Sequence, residues 1–375
     1  MFSKEKMSKT IIVSVIFGLL TSIIGSFAIL SFFMPADFWL GGKNISNQNQ
    51  DLLKAALGVK AYGRLEVFEF LDSTLPSVAG IYKKKQAGTQ LPDSLYLDKD
   101  KLGSGMALTS DGWIVSNKMV IDSLGIKNAV AIKQALAVLV KGKIYDVDSV
   151  IYDTWTDIVF LKVNAENLPV VSMGDSDLLK LGDLVFGGTS KNDFWFSYIS
   201  GTNVYPQSAN KSELILSSEK FVKRIKLQDD QKSDVNGGVV VNYKGEMIGI
   251  AMADAKGAYV LPVNYFKNII SDVLKNKKVI RPYLGVAYIN LSSAIGSGLP
   301  NDGVGAALKT ITDNSPAAKS GLKAGDIIVG VDDENFKNNK NLAEIISEYK
   351  PGEEVNVKVL RDGEEVNLKI TLGSL

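Results

Sequence analysis

The chain has 375 residues, 46% of them hydrophobic, which is long enough and apolar enough for two or three domains with cores of their own. Its 42 lysines and arginines nearly balance 41 aspartates and glutamates, so the net charge of +1 excludes a general attraction to nucleic acid, and we expect no nucleic-acid partner. Cysteine and histidine are absent, which excludes disulfides, the usual zinc ligands and the usual general base at neutral pH. We therefore expect no metal and no cofactor.

An uncharged apolar stretch near the N-terminus predicts a membrane anchor. Residues 10–33 carry no charge over 24 positions, and at about 1.5 Å per residue a helix of that length crosses a hydrocarbon core of about 30 Å. Three lysines and one glutamate precede it, which by the positive-inside rule places the N-terminus in the cytoplasm. We predict a single-pass protein of the cell membrane, with a cytoplasmic tail at residues 1–9 and the bulk of the chain extracytoplasmic.

A cleaved secretory signal is the alternative explanation of this stretch. The apolar region of such a signal is typically about 7–15 residues long and precedes a cleavage site of small residues. The apolar stretch here is longer, and residues 34–37, M-P-A-D, form a poor cleavage site, so we favour the uncleaved anchor. Both alternatives place the chain after residue 35 outside the cytoplasm.

The middle of the chain has the pattern of an all-β domain. After a polar linker at residues 34–64, residues 65–278 contain short apolar runs separated by Gly, Asn, Asp and Ser, which is typical of a β-barrel or sandwich. Pro262 then opens a helical pattern. The apolar residues on one face of that helix are Phe266, Ile269, Ile270, Val273 and Leu274.

A separate module occupies residues 281–375. Residues 354–360 and 365–370 alternate between apolar and polar side chains, and the D-G pair between them predicts a β-hairpin. Residues 341–349 predict a helix with Leu342, Ile345 and Ile346 on one face, which is followed by P-G.

Three segments of the middle domain form an ordered set. Residues 103–117 read G-S-G-M-A-L-T-S-D-G-W-I-V-S-N, residues 152–159 read Y-D-T-W-T-D-I-V, and residues 234–242 read D-V-N-G-G-V-V-V-N. In this order and spacing they resemble the segments around the catalytic triad of the HtrA (high-temperature-requirement A) family of trypsin-like serine proteases. The resemblance implies a mostly β protein with a trypsin-like double β-barrel at residues 65–278.

The resemblance places the three triad positions at Met119, Asp157 and Asn236. Acyl transfer in this family needs a hydroxyl nucleophile, an imidazole base and a carboxylate that orients the imidazole. Met119 has no basic nitrogen and Asn236 has no hydroxyl, so only Asp157 is retained. Asp234 replaces the glycine that starts the oxyanion loop, where its carboxylate would repel a developing negative charge. We therefore expect no catalytic residues and a pseudoprotease.

Each of these positions also has a purely structural explanation. Met119 fits as a filler of the core, because methionine adapts to irregular gaps. Asp157 fits as a turn or capping residue at the start of a strand, and if it were buried it would need a partner such as Lys118. Residues 236–238, N-G-G, fit a tight turn.

The C-terminal module resembles the PDZ domain of the same family. Residues 281–286, R-P-Y-L-G-V, resemble its carboxylate-binding loop, and residues 315–332 resemble its S-P-A-x-x-A-G-L-x-x-G-D core. The resemblance implies an α+β PDZ domain that binds an extended peptide along a strand edge at residues 286–290. The predicted peptide-binding residues are Tyr283, Leu284, Gly285 and Val286 in the loop, with Leu342, Ile345 and Ile346 lining the pocket for the last side chain. The alternative is that the module only packs on the barrel of its own chain.

The resemblance implies a function in binding. We expect a membrane-anchored, non-proteolytic HtrA-like protein that binds peptide C-termini or unfolded protein segments as an extracytoplasmic adaptor, sensor or regulator in protein quality control. The partners implied are peptide or protein C-termini, the membrane through the N-terminal helix, and other subunits in a homotrimer or a mixed trimer with an active paralogue.

Two other functions remain as alternatives. One is a serine endopeptidase of this family with a rebuilt or cryptic site, in which Ser233 pairs with Lys118 or Lys232 as a serine–lysine dyad. The other is a structural membrane scaffold. The resemblance is weak over residues 82–102 and 187–230, so the sequence leaves the role of these loops open.

Overall fold

The computed structural model describes residues 74–86, 91, 93–126, 128–189, 194–205, 211–228, 236–254, 257–293, 300–336 and 340–375. All of them belong to one compact unit, Arg64–Leu375. The predicted cytoplasmic tail, anchor and linker lie outside the described residues. Within the described part of the chain, no helix is both long enough and apolar enough to span a membrane.

Six antiparallel strands form the first barrel. They are β1 Val78–Lys83, β2 Lys101–Ala107, β3 Trp113–Asn117, β4 Leu136–Val140, β5 Lys143–Asp153 and β6 Ile158–Val163. The barrel closes in the order β1-β2-β3-β6-β5-β4 around an aliphatic core that includes Ile81, Ile114, Val138, Val159 and Leu161. Between β3 and β4 lie two short helices, α1 Lys118–Asp122 and α2 Ala129–Ala135. Each helix begins after an asparagine whose side chain accepts backbone N–H bonds from the first turn.

Six further strands form the second barrel, and one strand of the same region lies outside it. The strands are β7 Leu184–Gly188, β8 Phe194–Val204, β9 Ile215–Ser217, β10 Arg224–Leu227, β11 Val239–Val241, β12 Met247–Asp254 and β13 Gly257–Pro262. The second barrel closes in the order β10-β13-β12-β11-β7-β8 without β9. Two closed barrels in succession agree with the predicted double β-barrel. The helical pattern after Pro262 begins as two short 3-10 turns and continues as α3 Ile270–Asn276.

The C-terminal domain contains a twisted sheet and two short helices. Its elements are β14 Pro282–Tyr283, β15 Val286–Asn290, β16 Ala306–Ile311, α4 Pro316–Lys319, β17 Ile327–Val331, β18 Glu334–Asn335, α5 Leu342–Ile346, β19 Glu354–Arg361, β20 Glu364–Thr371 and β21 Gly373–Ser374. The sheet has the order β20-β19-β17-β16-β15-β9, with β18 beside β17, and β14 pairs with β21 separately. Its outer strand β9 therefore comes from the region of the second barrel.

The predicted hairpin and helix of this domain are both present. Strands β19 and β20 pair across a turn in which Asp362 and Gly363 have φ values of 54° and 87°, the left-handed backbone that a two-residue hairpin turn requires. Helix α5 is shorter than predicted, because Asn341 is its N-cap and Ser347 its C-cap. A capping box between Asn341 and Glu344 fixes its start.

Short 3-10 helices complete the described secondary structure. They are Leu75–Ser77, Asp98–Asp100, Ser176–Leu178, Lys211–Leu214, Val263–Tyr265, Lys267–Ile269, Leu291–Ser293 and Pro300–Gly303.

A buried ion pair connects the first barrel to the C-terminal domain. Asp153, the last residue of β5, and Arg281, the residue before β14, are 1% and 2% exposed. The guanidinium binds both carboxylate oxygens, through Nε and Nη2, and Nη2 also donates to the Tyr265 carbonyl at 2.8 Å. The guanidinium carbon lies 5.1 Å from the centroid of the Trp155 ring, within reach of a cation–π interaction.

Removing the cation of this pair should destabilise the protein strongly. In Arg281→Met the Asp153 carboxylate stays buried without its countercharge, which we expect to reduce the free energy of unfolding by about 3–5 kcal/mol. The exposed pair Lys369–Glu354, with side chains 72% and 57% exposed, supplies the control, and Lys369→Met should change the free energy by no more than about 1 kcal/mol. Urea unfolding monitored by tryptophan fluorescence measures both; equal small shifts would contradict the prediction.

Candidate functional site

Met119 is an exposed residue of α1. Its side chain is 40% exposed, whereas its neighbours Val120 and Ile121 are 1% exposed each. The prediction that Met119 fills the core was therefore wrong, since α1 directs Val120 and Ile121 into the first barrel. At the position to which the resemblance assigns the histidine of the HtrA family, this chain presents a thioether, which does not accept a proton near neutral pH.

Asp157 lies in the turn between β5 and β6. Its backbone is left-handed, with φ of 57°, and its carbonyl accepts the backbone N–H of Lys118 at 2.7 Å. The carboxylate is half-exposed and lies 3.4 Å from the Lys220 Nζ. Lys118, the partner considered from the sequence, pairs instead with Asp122. Asp157 is thus a turn residue with a solvated ion pair of small energetic value.

Asn236 connects the two barrels. Its Oδ1 accepts bonds from the Asn117 Nδ2 at 3.2 Å and from the backbone N–H of Ala253 at 2.8 Å, while its carbonyl accepts the Ser104 N–H at 2.9 Å. Asn117 is wholly buried and its own Oδ1 caps α1 by accepting the Val120 N–H. The amide of Asn236 is therefore held as a hydrogen-bonded structural group, at the position to which the resemblance assigns the nucleophile.

The backbone around Gly237 is tightly packed. Gly237 has φ of 76°, and a Cβ there would lie 2.0 Å from the Ser104 carbonyl oxygen and 2.4 Å from the Ser116 Oγ. Residues 236–238 thus form the tight turn that the sequence indicates. Asp234, the predicted oxyanion-loop position, lies outside the described residues, as do Lys232 and Ser233.

The three side chains at the positions that the resemblance assigns to the triad do not pair a nucleophile with a base. They are a thioether, a half-exposed carboxylate and a hydrogen-bonded amide, and the chain contains no histidine. Within the described ranges, no cluster of three or more His, Cys, Asp or Glu side chains could hold a metal ion.

The predicted carboxylate-binding loop of the C-terminal domain holds a carboxylate of its own chain. The backbone N–H groups of Gly285 and Leu284 donate to the Glu219 Oε1, at 2.9 Å and 3.3 Å. The next N–H, of Val286, donates to the Ser218 Oγ at 3.0 Å. Of the four predicted loop residues, three therefore donate their backbone N–H groups to Ser218 or Glu219, namely Leu284, Gly285 and Val286. The fourth, Tyr283, lies on β14 and pairs with β21.

The strand edge expected to receive a peptide is also occupied. Strand β9 pairs antiparallel with β15, with Ser217 opposite Ala287, and the Ser218 N–H extends the ladder to the Val286 carbonyl at 3.0 Å. At residues 286–290, where a peptide is expected to add as a strand, residues 215–219 of the same chain, here called the groove segment, fill the edge. This contact matches the alternative in which the module packs on its own chain.

The pocket expected for a terminal side chain is closed. Leu342, Ile345 and Ile346 have no exposed surface and share one core cluster with Tyr288 of β15, which is also fully buried. Leu216 of the groove segment packs against the same cluster. These three helix residues thus belong to the core cluster against which Leu216 packs.

Tyr205 and Lys223, which precede and follow the groove segment in the sequence, also bind the C-terminal domain. The Lys223 Nζ lies 2.7 Å from the Glu344 Oε2 on α5, and the two side chains are only 3% and 12% exposed. The Tyr205 hydroxyl accepts the Asn290 Nδ2 at the end of β15, at 2.7 Å. Burial raises the pKa of Tyr205 to about 12, so this hydroxyl stays neutral across the physiological range.

Sequence reasoning missed Ser218, Glu219, Lys223 and Tyr205. All four lie in the stretch 187–230, where the resemblance was weak. The available signal was local: a short apolar run, L-I-L at residues 214–216, is followed by S-S-E. That pattern allows a short strand with an acidic end, but it does not say which sheet the strand joins.

Two family models match this chain. The trypsin-like peptidase domain matches residues 103–250 and the PDZ domain matches residues 282–372. Among curated relatives, a probable periplasmic serine endoprotease DegP-like of Halomonas elongata is 28% identical over 318 residues, which cover 81% of this chain and 64% of the relative. The serine endoprotease DegS of Haemophilus influenzae is 25% identical over 79% of this chain and 84% of its own length. The chain thus spans less than two thirds of the Halomonas relative.

Solved structures with the same fold include an HtrA-type protease. AlgW with a decapeptide superposes with a TM-score of 0.59 at 21% identity, over 82% of this chain and 98% of AlgW. AlgW with a tripeptide gives a TM-score of 0.60 at 22% identity, over 82% and 97%. At this level of identity the likeness concerns the fold.

Gly237→Ala tests whether the junction between the barrels depends on the tight turn. We compare it with Gly142→Ala, because Gly142 has a similar φ of 72° but open space around its Cβ position. In the control the free energy of unfolding should fall by about 1–2 kcal/mol, because alanine is strained in left-handed backbone. In Gly237→Ala it should fall by a further amount of about 1–3 kcal/mol, because the added Cβ overpacks the site. Urea unfolding of both variants measures the difference, and equal losses would show that the contact with Ser104 relaxes without penalty.

Proposed function

We propose that this chain is a non-proteolytic member of the HtrA family that binds peptide carboxylates. The premise is that the chain belongs to this family, with a trypsin-like peptidase domain followed by a PDZ domain. The ligands would be protein C-termini or extended unfolded segments, bound in the groove between β15 and α5. The trypsin-like domain would then serve as a frame for that groove.

One observation carries the proposal. The N–H groups of Leu284 and Gly285 converge on a single carboxylate oxygen, that of Glu219. Successive backbone N–H groups in a loop form a binding site for an anion, and strand addition beside it supplies affinity without dependence on the ligand sequence. Both elements of peptide recognition are therefore built, and in this structure both are engaged by the groove segment of the same chain. The structures of AlgW with peptides support the same use of the fold.

The chemistry at the triad positions supports a function without proteolysis. General-base catalysis at neutral pH needs a group with a pKa near the working pH, and a chain without histidine has no imidazole to supply it. The Asn236 amide is not a nucleophile and is engaged with Ala253 and Asn117.

The proposed setting is the outer face of a membrane. The uncharged stretch at residues 10–33 supports a single-pass anchor with a cytoplasmic N-terminus, and the name of the Halomonas relative includes the word periplasmic. There the protein would act as an adaptor, sensor or regulator in quality control. Its assembly would be a homotrimer or a mixed trimer with an active paralogue.

A serine endopeptidase is the second candidate function. It is favoured by the names of the relatives, which are serine endoproteases. In this chain it would need a rebuilt site, for which Ser233 with Lys118 or Lys232 are the candidates. A structural membrane scaffold, the third alternative, would leave the groove without external ligands.

Peptide binding can be tested directly on the full-length chain in detergent. Fluorescence anisotropy with a library of C-terminal peptides, each with a free and an amidated terminus, should give saturable binding that amidation weakens at least tenfold. Amidation removes the charge that the loop N–H groups hold. Absence of binding to both forms would contradict the proposal and favour the scaffold.

Reaction with a fluorophosphonate probe separates the non-proteolytic function from the endopeptidase. We expect no labelling of this chain under conditions in which DegS of Haemophilus influenzae is labelled, because no serine here is paired with an imidazole base. Labelling that disappears in Ser233→Ala would establish the rebuilt site instead.

The double variant Met119→His with Asn236→Ser is the matched control for that experiment. If it is labelled while the natural chain is not, the two substituted side chains account for the difference. If neither is labelled, the surrounding loops, including Asp234, also prevent reaction.

A further inference from the structure

The groove segment has the direction and register of a bound peptide. In strand addition a ligand runs antiparallel to β15 and ends with its carboxylate in the loop. Residues 215–217 pair with residues 287–289 in this direction, Ser218 continues the ladder, and the chain then presents Glu219 to the loop. A side-chain carboxylate has the same two acceptor oxygens as a terminal carboxylate. Glu219 thus occupies the place of a C-terminus.

The Glu219 carboxylate accepts several hydrogen bonds, as a bound ligand carboxylate would. Besides the Gly285 and Leu284 N–H groups, the hydroxyls of Ser218 and Ser217 lie 2.5 Å and 2.9 Å from its two oxygens. Hydrogen bonds to an ionised carboxylate are about twice as strong as neutral ones. The Leu284 and Gly285 N–H groups of the loop are therefore already occupied by a carboxylate of the same chain.

The chain that follows the groove segment is also fixed to the rest of the structure. Phe221 stacks on Tyr265 with ring centroids 4.2 Å apart, and Lys223 pairs with Glu344, so the segment cannot leave as a free end. An intramolecular ligand of this kind competes at an effective concentration of about millimolar or more. An external peptide of ordinary affinity must overcome that competition.

We propose that residues 215–219 are a built-in ligand of the PDZ groove, in which the Glu219 side chain replaces a terminal carboxylate, and that external peptides bind only by displacing it. This inference rests on the proposed peptide binding by the same groove. It also specifies the ligand chemistry: an extended chain with aliphatic residues, then two small hydroxyl residues, then a carboxylate. The peptide that fits best ends in Ile-Leu-Ser-Ser with a free terminus.

Weakening the built-in ligand should strengthen external binding. We would measure the anisotropy of a labelled peptide ending in Ile-Leu-Ser-Ser with the full-length chain and with Glu219→Gln, which keeps the size of the side chain but removes its charge. The expected result is at least a tenfold lower Kd for Glu219→Gln. Glu365→Gln, at an exposed position of β20, is the matched control and should leave the Kd unchanged. Equal Kd values for the natural chain and Glu219→Gln would overturn the inference while leaving peptide binding established.

A disulfide can lock the built-in ligand in place and tests the inference independently. Ser218 bonds with Val286 through the ladder, so the next pair, Ser217 and Ala287, is of the non-hydrogen-bonded type, with Cα atoms about 4.5 Å apart. That spacing permits a disulfide, and the natural chain has no cysteine to interfere. We expect Ser217→Cys with Ala287→Cys to form the disulfide in air, to lose peptide binding when oxidised and to regain it on reduction.

The outcomes separate the two proposals. Failure of the disulfide to form, or binding that is the same in the oxidised and reduced states, would overturn the built-in ligand. A disulfide that forms, together with no peptide binding to any variant including Glu219→Gln, would overturn the proposed function and with it displacement, leaving β9 as a permanent strand of the sheet.

Discussion

The buried pair between Asp153 and Arg281 holds the C-terminal domain against the first barrel, and the arrangement of the groove depends on it. Charges out of contact with water need fixed partners. This carboxylate has them in Arg281, in the Thr156 hydroxyl and in the backbone N–H of Trp155. Because Arg281 also binds the Tyr265 carbonyl, one side chain fixes the end of β5, the exit from the second barrel and the start of the PDZ domain. This constraint makes a strand from the barrel region available to the PDZ sheet.

The aromatic residues beside this pair connect it to the groove. Phe221 packs edge-on against Trp155 and stacks on Tyr265, and it lies two residues after Glu219. The stretch from Glu219 to Phe221 therefore touches the carboxylate-binding loop at one end and the buried pair at the other. Between them the Lys220 ammonium pairs with the carboxylate of Asp157, the position to which the resemblance assigns the triad aspartate. The carboxylate-binding loop and the turn that contains Asp157 are thus contacted by one short piece of chain.

The junction of the two barrels depends on two asparagines and a glycine. Asn117 and Asn236 join their amides across it, and Gly237 keeps the close backbone approach to Ser104. These contacts are ones of packing and hydrogen bonding, and a partly buried acceptor at position 236 satisfies the Ala253 N–H. A structural requirement on residue 236 is thus independent of any requirement for a nucleophile.

The sequence by itself determined whatever depends on near neighbours and on composition. The hairpin at Asp362 and Gly363, the carboxylate-binding loop with its helix, the tight turn after Asn236 and the lack of an imidazole could all be read from local residues. The exposure of Met119 could not, because periodicity over a five-residue helix does not say which face meets the barrel. Nor could the Asp153–Arg281 pair or the pairing of β9 with β15, because these join residues 128 and about 70 positions apart. Local patterns specify that a strand or a charge is present, whereas its partner is decided only when the packed domains bring distant segments together.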